Sequence, residues 1–244
     1  MTVHIAYVFD ERYAIYSSIS AISAVQHAHE KIIFHCIGAK KDKRGLESFK
    51  EELAAHGQEV KIYCYELVNQ SFKMFRGQAA NYLKYVIPEI IEEKKILYVD
   101  GDTLFKKCPS EIFNTDLGGS YVGGVCDYSH KPSNKKGWPT KVQFTSKEEI
   151  YINSGMLLLN SQLIRKMDIV KEATEVSEKL GPDKVFADQD VINKLFEGRK
   201  KIIGPEFNFQ IFNGEIKIDL WKKISMSNFL SIVLIHFIGW CNHG

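Results

Sequence analysis

Two carboxylates separated by one glycine, Asp100-Gly101-Asp102, end an apolar run, Ile96-Leu97-Tyr98-Val99, that follows Lys94-Lys95. The run reads as a short buried strand bounded by charge. Two carboxylates at the end of a core strand need a compensating cation, because an isolated buried charge costs too much. Gly101 removes side-chain bulk between them and allows unusual backbone angles. Oxygen ligands of this kind suit a hard divalent ion, magnesium or manganese, that carries phosphates. The competing reading is a plain Asp-Gly turn. A third candidate ligand, His236, ends the apolar run Ile232 to Ile235. Alone it reads as a structural histidine. Beside two carboxylates and water, an imidazole suits manganese.

Other polar groups fall at the ends of predicted elements. Asp10 follows Val3 to Phe9, Asp127 follows Tyr121 to Cys126, and Asn153-Ser154-Gly155 precedes the buried run Met156 to Asn160. The last of these also reads as a plain turn. Asp188-Gln189-Asp190 opens a helix that runs through Val191, Ile192, Leu195 and Phe196 and stops at Gly198. Capping explains one aspartate there well, and a Gln between two of them less well.

The elements that must hold these groups alternate in the first hundred residues. Strands are predicted at Val3 to Phe9, Lys31 to Gly38, Val60 to Leu67 and Ile96 to Val99. Helices are predicted at Tyr13 to His29, Asp42 to His56, and Gln78 to Ile91, bent or ended near Pro88. This order argues for a parallel sheet covered by helices. Ligands of such sheets bind beyond the carboxyl ends of the strands. In the less regular second half, Ser161 to Leu180 reads as one helix capped by Ser161, and Lys201 to Ile203 as a short strand. We read one domain with two halves, 1–105 and 106–244.

Composition excludes several classes. A net charge of +2 with scattered lysines does not suggest nucleic acid. The five cysteines form no Cys-x-x-Cys pair, so neither a disulfide framework nor a zinc site is indicated and a reducing compartment fits. No signal peptide is visible at the start, and the apolar segment Phe229 to Trp240 is too short to span a bilayer.

Tyr98-Val99-Asp100-Gly101-Asp102-Thr103-Leu104-Phe105 resembles the Asp-x-Asp motif of glycosyltransferase family 8, which includes bacterial lipopolysaccharide galactosyl- and glucosyltransferases and glycogenin. Asp10-Glu11-Arg12-Tyr13 is similar to the family's first nucleotide-binding loop. Asp116-Leu117-Gly118-Gly119 with Val122-Gly123 to Asp127 is similar to its middle block. Asn153-Ser154-Gly155, Asp188-Gln189-Asp190, Phe207-Asn208-Phe209 and His236-Phe237-x-Gly239 follow in the family's order.

The resemblance implies an α/β GT-A fold, a Rossmann-like mixed sheet flanked by helices in a single domain, with 1–105 as the nucleotide-binding half and 106–244 as the acceptor- and donor-sugar half. It implies retaining, metal-dependent transfer of galactose or glucose from a UDP-sugar to a saccharide of lipopolysaccharide or another surface glycan. By the same resemblance Asp100, Asp102 and His236 hold Mn2+ or Mg2+. Val8, Asp10 and Tyr13 contact uracil, and Arg12 lies near the ribose. Asn153 and Asp188 position the donor sugar, Asp127 faces both sugars, and Gln189 lies near the anomeric carbon with Asp188 and Asp190 in the catalytic set. Gly101, Ser154, Gly155, Gly239 and Asn242 complete the donor-binding set. Three departures stand out. Lys84 replaces a donor-binding arginine and loses its bidentate fork. Asn242 stands where the family has a lysine and lacks its charge. His243-Gly244 follows where the family often continues with Pro-Trp. The expected location is cytoplasmic, with at most peripheral contact to the inner membrane face.

Two rival readings use the same residues. One is a non-catalytic nucleotide-sugar-binding protein, marked by Asn242. The other is an aspartate-nucleophile phosphatase, disfavoured by Leu104 two residues beyond Asp102, where such enzymes place threonine or valine.

Overall fold

The first apolar run forms β1 (Thr2–Val8), whose side chains alternate between two cores. Val3, Ile5 and Tyr7 face one apolar cluster and Ala6 the other, as a period of two requires of a strand buried on both faces. The computed structural model describes residues 1–66, 80–128, 142–181, 186–215 and 230–239.

After β1 the chain continues through α1 (Ala14–His27), β2 (Lys31–Gly38), α2 (Lys43–Ala55) and β3 (Glu59–Cys64). A 3-10 segment, Ala80–Val86, runs into the single turn α3 (Ile87–Ile90) and then β4 (Ile96–Val99). The predicted helix up to Ile91 is therefore a 3-10 segment in its described part, followed by one α turn in which Pro88, which donates no backbone hydrogen bond, sits near the start. Beyond β4 lie β5 (Thr103–Phe105), α4 (Ser110–Phe113), β6 (Val122–Cys126), β7 (Ile152–Leu159), α5 (Ser161–Ile164), α6 (Ile169–Leu180), α7 (Ala187–Leu195), β8 (Lys200–Ile202), β9 (Phe209–Phe212) and β10 (Leu234–Ile238).

The single helix predicted from Ser161 to Leu180 is two. Asn160 caps the first by accepting from the Leu163 N–H, and Asp168 caps the second by accepting from Lys171. A second cap inside the stretch divides it. Ser161 is buried and its hydroxyl has no partner.

Seven strands form one sheet in the order β3-β2-β1-β4-β7-β6-β8, and β5, β10 and β9 form a second sheet. The first four strands are parallel, whereas β7 runs antiparallel to both β4 and β6. That reversal sets the site. It brings the start of β7 to the edge where β1, β4 and β6 end. Asn153-Ser154-Gly155 is accordingly strand, not a turn, and Asp100 N–H donates to the Gly155 carbonyl at 2.8 Å. His236 likewise lies in the middle of β10 rather than at its end, opposite Thr103 of β5. Cys36 is a core thiol, but Cys64 at the edge strand is exposed.

Candidate active site

Three elements bring the ligand candidates together. The loop leaving β4 carries Asp100 and Asp102, and β10 pairs with β5 so that His236 arrives beside them. Ligand atoms of Asp100, Asp102 and His236 all lie within 4.8 Å of one another. His236 Nε2 is 3.3 Å from Asp102 Oδ1 and 4.0 Å from Asp100 Oδ2. Its Nδ1 is buried without a partner, so Nε2 is the nitrogen aimed at the carboxylates.

Two glycines make this packing possible. A Cβ on Gly155 would overlie Cε1 of the His236 ring and sit 2.8 Å from both ring nitrogens. A Cβ on Gly101 would come 2.5 Å from Ser17 Oγ on α1. From below, hydrogen bonds run from Tyr7 through Ser20 (2.9 Å) and Thr103 (2.7 Å) to the Asp100 carbonyl (2.9 Å), which ties the loop to β1 and α1.

The charges are strongly coupled. Lys84, almost fully buried, places Nζ 2.6 Å from Asp188 Oδ2 and 3.9 Å from Asp100 Oδ1, over the Tyr98 ring at 4.9 Å. Burial pulls the Lys84 pKa down, but Asp188 and Asp100 outweigh it and the ammonium is held above its ordinary range. The Asp100 carboxyl is pushed up by burial and by Asp102, against the pull of Lys84 and His236. Its neighbour Tyr98 donates a short hydrogen bond to it. Burial would lower His236, yet Asp102 and Asp100 raise it. Such mutual repulsion of nearby carboxylates is what a bound divalent ion relieves.

Beside this cluster lies a closed polar lattice. Asp127, after β6, accepts from Gln189 Nε2 at 2.8 Å and Asn153 Nδ2 at 3.3 Å. Gln189 Oε1 accepts from Ser154 N–H at 2.9 Å and Asn153 Nδ2 at 3.2 Å. Asn153 Oδ1 accepts from Gly155 N–H and from Asn208 Nδ2. Ser154 Oγ donates to Asp188 Oδ2 at 3.2 Å, which joins the lattice to Lys84. The helix start that presents Asp188 and Gln189 is strained: Ala187 has φ +43°, a left-handed conformation that costs a non-glycine residue ~1 kcal/mol.

Not every expected residue joins this group. Asp190 is fully buried and turned away, accepting from the Tyr151 hydroxyl at 2.6 Å and from Phe186 N–H at 2.9 Å. It reaches back to the backbone before α7 rather than into the site. Asp10 closes its own turn, accepting from the Arg12 and Tyr13 N–H groups and from the Arg12 guanidinium at 2.8 Å. Val8 ends β1 beside it, and Arg12 and Tyr13 sit in the 3-10 turn Glu11–Tyr13 that follows Asp10. Gly239 follows β10 with φ +90°. Asn242 lies outside the described residues.

Supporting residues went unread in the sequence because no local pattern marks them. Asn193 binds both backbone groups of Ile152, and the buried Lys200 grips Asn193 and Glu149. Gln210 bridges the Tyr128 N–H and the Cys126 carbonyl at the end of β6. Asn193 and Gln210 act on backbone far away in sequence.

Residues 4–242 match the family model described as glycosyl transferase family 8. The chain belongs to glycosyl transferase family 8. This family 8 chain is 23% identical to a Haemophilus influenzae protein to which glycosyltransferase activity is ascribed, over 98% of this chain and 72% of that protein. It is 29% identical to galactinol synthase 2 of Solanum lycopersicum over 64% of its own length, and spans 47% of that enzyme. The crystal structure of galactosyltransferase LgtC with donor and acceptor sugar analogues superposes with a TM-score of 0.80 at 23% identity, covering 97% of this chain and 87% of that one. The mixed α/β architecture of this family 8 glycosyltransferase is thus the GT-A fold, as its sequence motifs imply. Among the described residues, no helix is long and apolar enough to cross a membrane.

Proposed function

We propose that this protein transfers a hexose, galactose or glucose, from a UDP-sugar to a saccharide acceptor of a surface glycan such as lipopolysaccharide, with retention of anomeric configuration. The observation that carries the reading is the meeting of Asp100, Asp102 and His236 beside the lattice of Asp127, Asn153, Asp188 and Gln189 in a family 8 chain. The names of its relatives support it, since they include a galactosyltransferase held with donor and acceptor sugar analogues and a galactinol synthase.

Two carboxylate oxygens and an imidazole nitrogen form a donor set that suits Mn2+ or Mg2+. Asp100, Asp102 and His236 would hold the ion. When bound, it would act as a Lewis acid toward the diphosphate and the charge left on UDP. The chain's own groups do the rest. Lys84 offers a desolvated positive charge next to Asp100 and keeps Asp188 aimed toward Ser154. Asn153 and Asp188 hold the donor sugar, Asp127 faces both sugars, and the loop of Val8, Asp10, Arg12 and Tyr13 carries the nucleoside. Asp190 is bound to Tyr151 and to backbone, and so is not placed as a nucleophile. Same-face attack within a short-lived ion pair therefore fits better than the double displacement of retaining glycosidases.

The test is a thermal shift with UDP-glucose and UDP-galactose, each with and without Mn2+. A ligand that binds only the folded state raises its stability by mass action, by about 2.7 kcal/mol at a hundred times Kd. We expect a metal-dependent rise that is larger for one sugar, which names the donor. No rise with either sugar and metal would sink the donor reading. A rise without transfer to any saccharide would instead mark a binding protein.

A further inference from the structure

The amide of Gln189 can be oriented in only one way. On one side it meets a backbone N–H, that of Ser154, which can only donate. On the other it meets the Asp127 carboxylate, which when ionised can only accept. Turning the amide over would set donor against donor and acceptor against acceptor, so the oxygen belongs at Ser154 and the nitrogen at Asp127. An amide oxygen has two lone pairs. Here both are engaged, by Ser154 N–H at 2.9 Å and by Asn153 Nδ2 at 3.2 Å. The nitrogen holds Asp127 at 2.8 Å, and the Tyr151 hydroxyl is a further hydrogen-bond partner of the same side chain.

The surroundings lock this arrangement. Gln189 is buried in the first turn of α7, and the Gln189 carbonyl accepts from Asn193 Nδ2 at 2.9 Å. Asn193 in turn clamps Ile152, the first residue of β7, so the helix and the strand carrying Ser154 move as one. The side-chain carbonyl oxygen, this committed, has no electron pair to offer an anomeric carbon unless one of these hydrogen bonds breaks.

We propose that Gln189 is a positioning residue: it acts on the reaction by holding the Asp127 carboxylate toward the sugars, and not through its own oxygen. This rests on the transferase reading above and deepens it, because it moves the role of the glutamine to a neighbouring carboxylate. An Asp127 freed from Gln189 still accepts from Asn153 Nδ2, but at 3.3 Å, a longer bond than the 2.8 Å one it loses.

Two measurements test it. The first is a turnover cycle of Asp127→Asn, Gln189→Ala and the double variant. An asparagine at 127 still accepts from Gln189 Nε2 through its amide oxygen, so the lattice is kept. If Gln189 works only through Asp127, the double variant is as slow as Asp127→Asn alone, within about threefold. Losses that multiply would overturn the proposal, as would a sugar adduct on residue 189 in the intact mass of Gln189→Glu. The second measurement needs no turnover. Gln189→Glu keeps one oxygen for Ser154 N–H and turns the other against Asp127, so two carboxylates must share a proton to stay together. Its melting temperature should lie below that of the wild type at pH ~8, and the gap should close as pH falls to ~5. A gap that does not change with pH would show that residue 189 does not face Asp127. Wild-type protein that transfers no sugar would overturn the transferase reading and leave this second result standing on its own.

Discussion

Gly155 serves the site through the side chain it lacks. Its missing side chain is the space in which the His236 ring lies. Gly155→Ala would force the imidazole off its line to Asp102, because neither β7 nor β10 can shift without breaking its ladder. Displacing an oriented ligand typically costs tenfold to a hundredfold in metal affinity. We expect Gly155→Ala to bind Mn2+ about tenfold or more weakly in calorimetry, while far-UV circular dichroism stays that of the wild type. Unchanged Mn2+ affinity would mean that His236 is no ligand. The sequence marks His236 and the paired aspartates, because charge at the end of an apolar run breaks a local rule. It gives no reason for Gly155, since the atom that forbids a side chain there is 81 residues away along the chain.

Elements explain the rest of what could and could not be read. Strands buried on both faces were legible as continuous apolar runs, and β2 and β4 appear with the boundaries that their sequences suggest. The direction of β7 was not, because Met156 to Leu159 would be equally apolar running either way. That direction alone turns Asn153-Ser154-Gly155 from a turn into the floor of the site. The division of α5 from α6 was missed because Asn160 and Asp168 cap through contacts that only the folded backbone reveals.

The same β1–β2 pairing yields a testable pH dependence. His4 Nδ1 and His35 Nε2 are 3.0 Å apart, His35 Nδ1 is 3.2 Å from the Tyr63 hydroxyl, and His4 Nε2 is 3.7 Å from Glu93. Lys61, Glu59 and Lys31 complete the charges around the pair. Burial, with His4 and Lys61 adding to it, pushes the His35 pKa down to about 3. The fold therefore holds neutral His35, while the unfolded chain takes up a proton below about 6.5. Stability is complete above that value and falls as pH drops toward the folded pKa, by about 1.4 kcal/mol per pH unit for each proton. We expect urea unfolding of the wild type to lose about 2 kcal/mol between pH ~6.5 and ~5 that His35→Gln does not lose. Parallel pH curves for the two proteins would refute the assignment.

At the scale of the molecule, the two halves read from the sequence share one framework. β4, in residues 1–105, is hydrogen-bonded on one side to β1 and on the other to β7, which belongs to 106–244. β5 pairs with β10 from the last ten described residues. One apolar cluster unites Val3, Phe34 and Phe49 with Met156, Ile203 and Val233, and the other unites Tyr82 and Tyr98 with Leu157 and Ile192. Cutting the chain after residue 105 would bare the edge of β4, four buried residues with unpaired backbone groups, and open both cores. The first half of the chain alone cannot close its own core. We expect the whole chain to unfold in one transition, with circular dichroism and intrinsic fluorescence coinciding. We expect fragment 1–105 alone to show no cooperative melt and to aggregate. A cooperative melt from that fragment would mean that the first half is a domain in its own right, and that the site is assembled between two folded units rather than grown from one sheet.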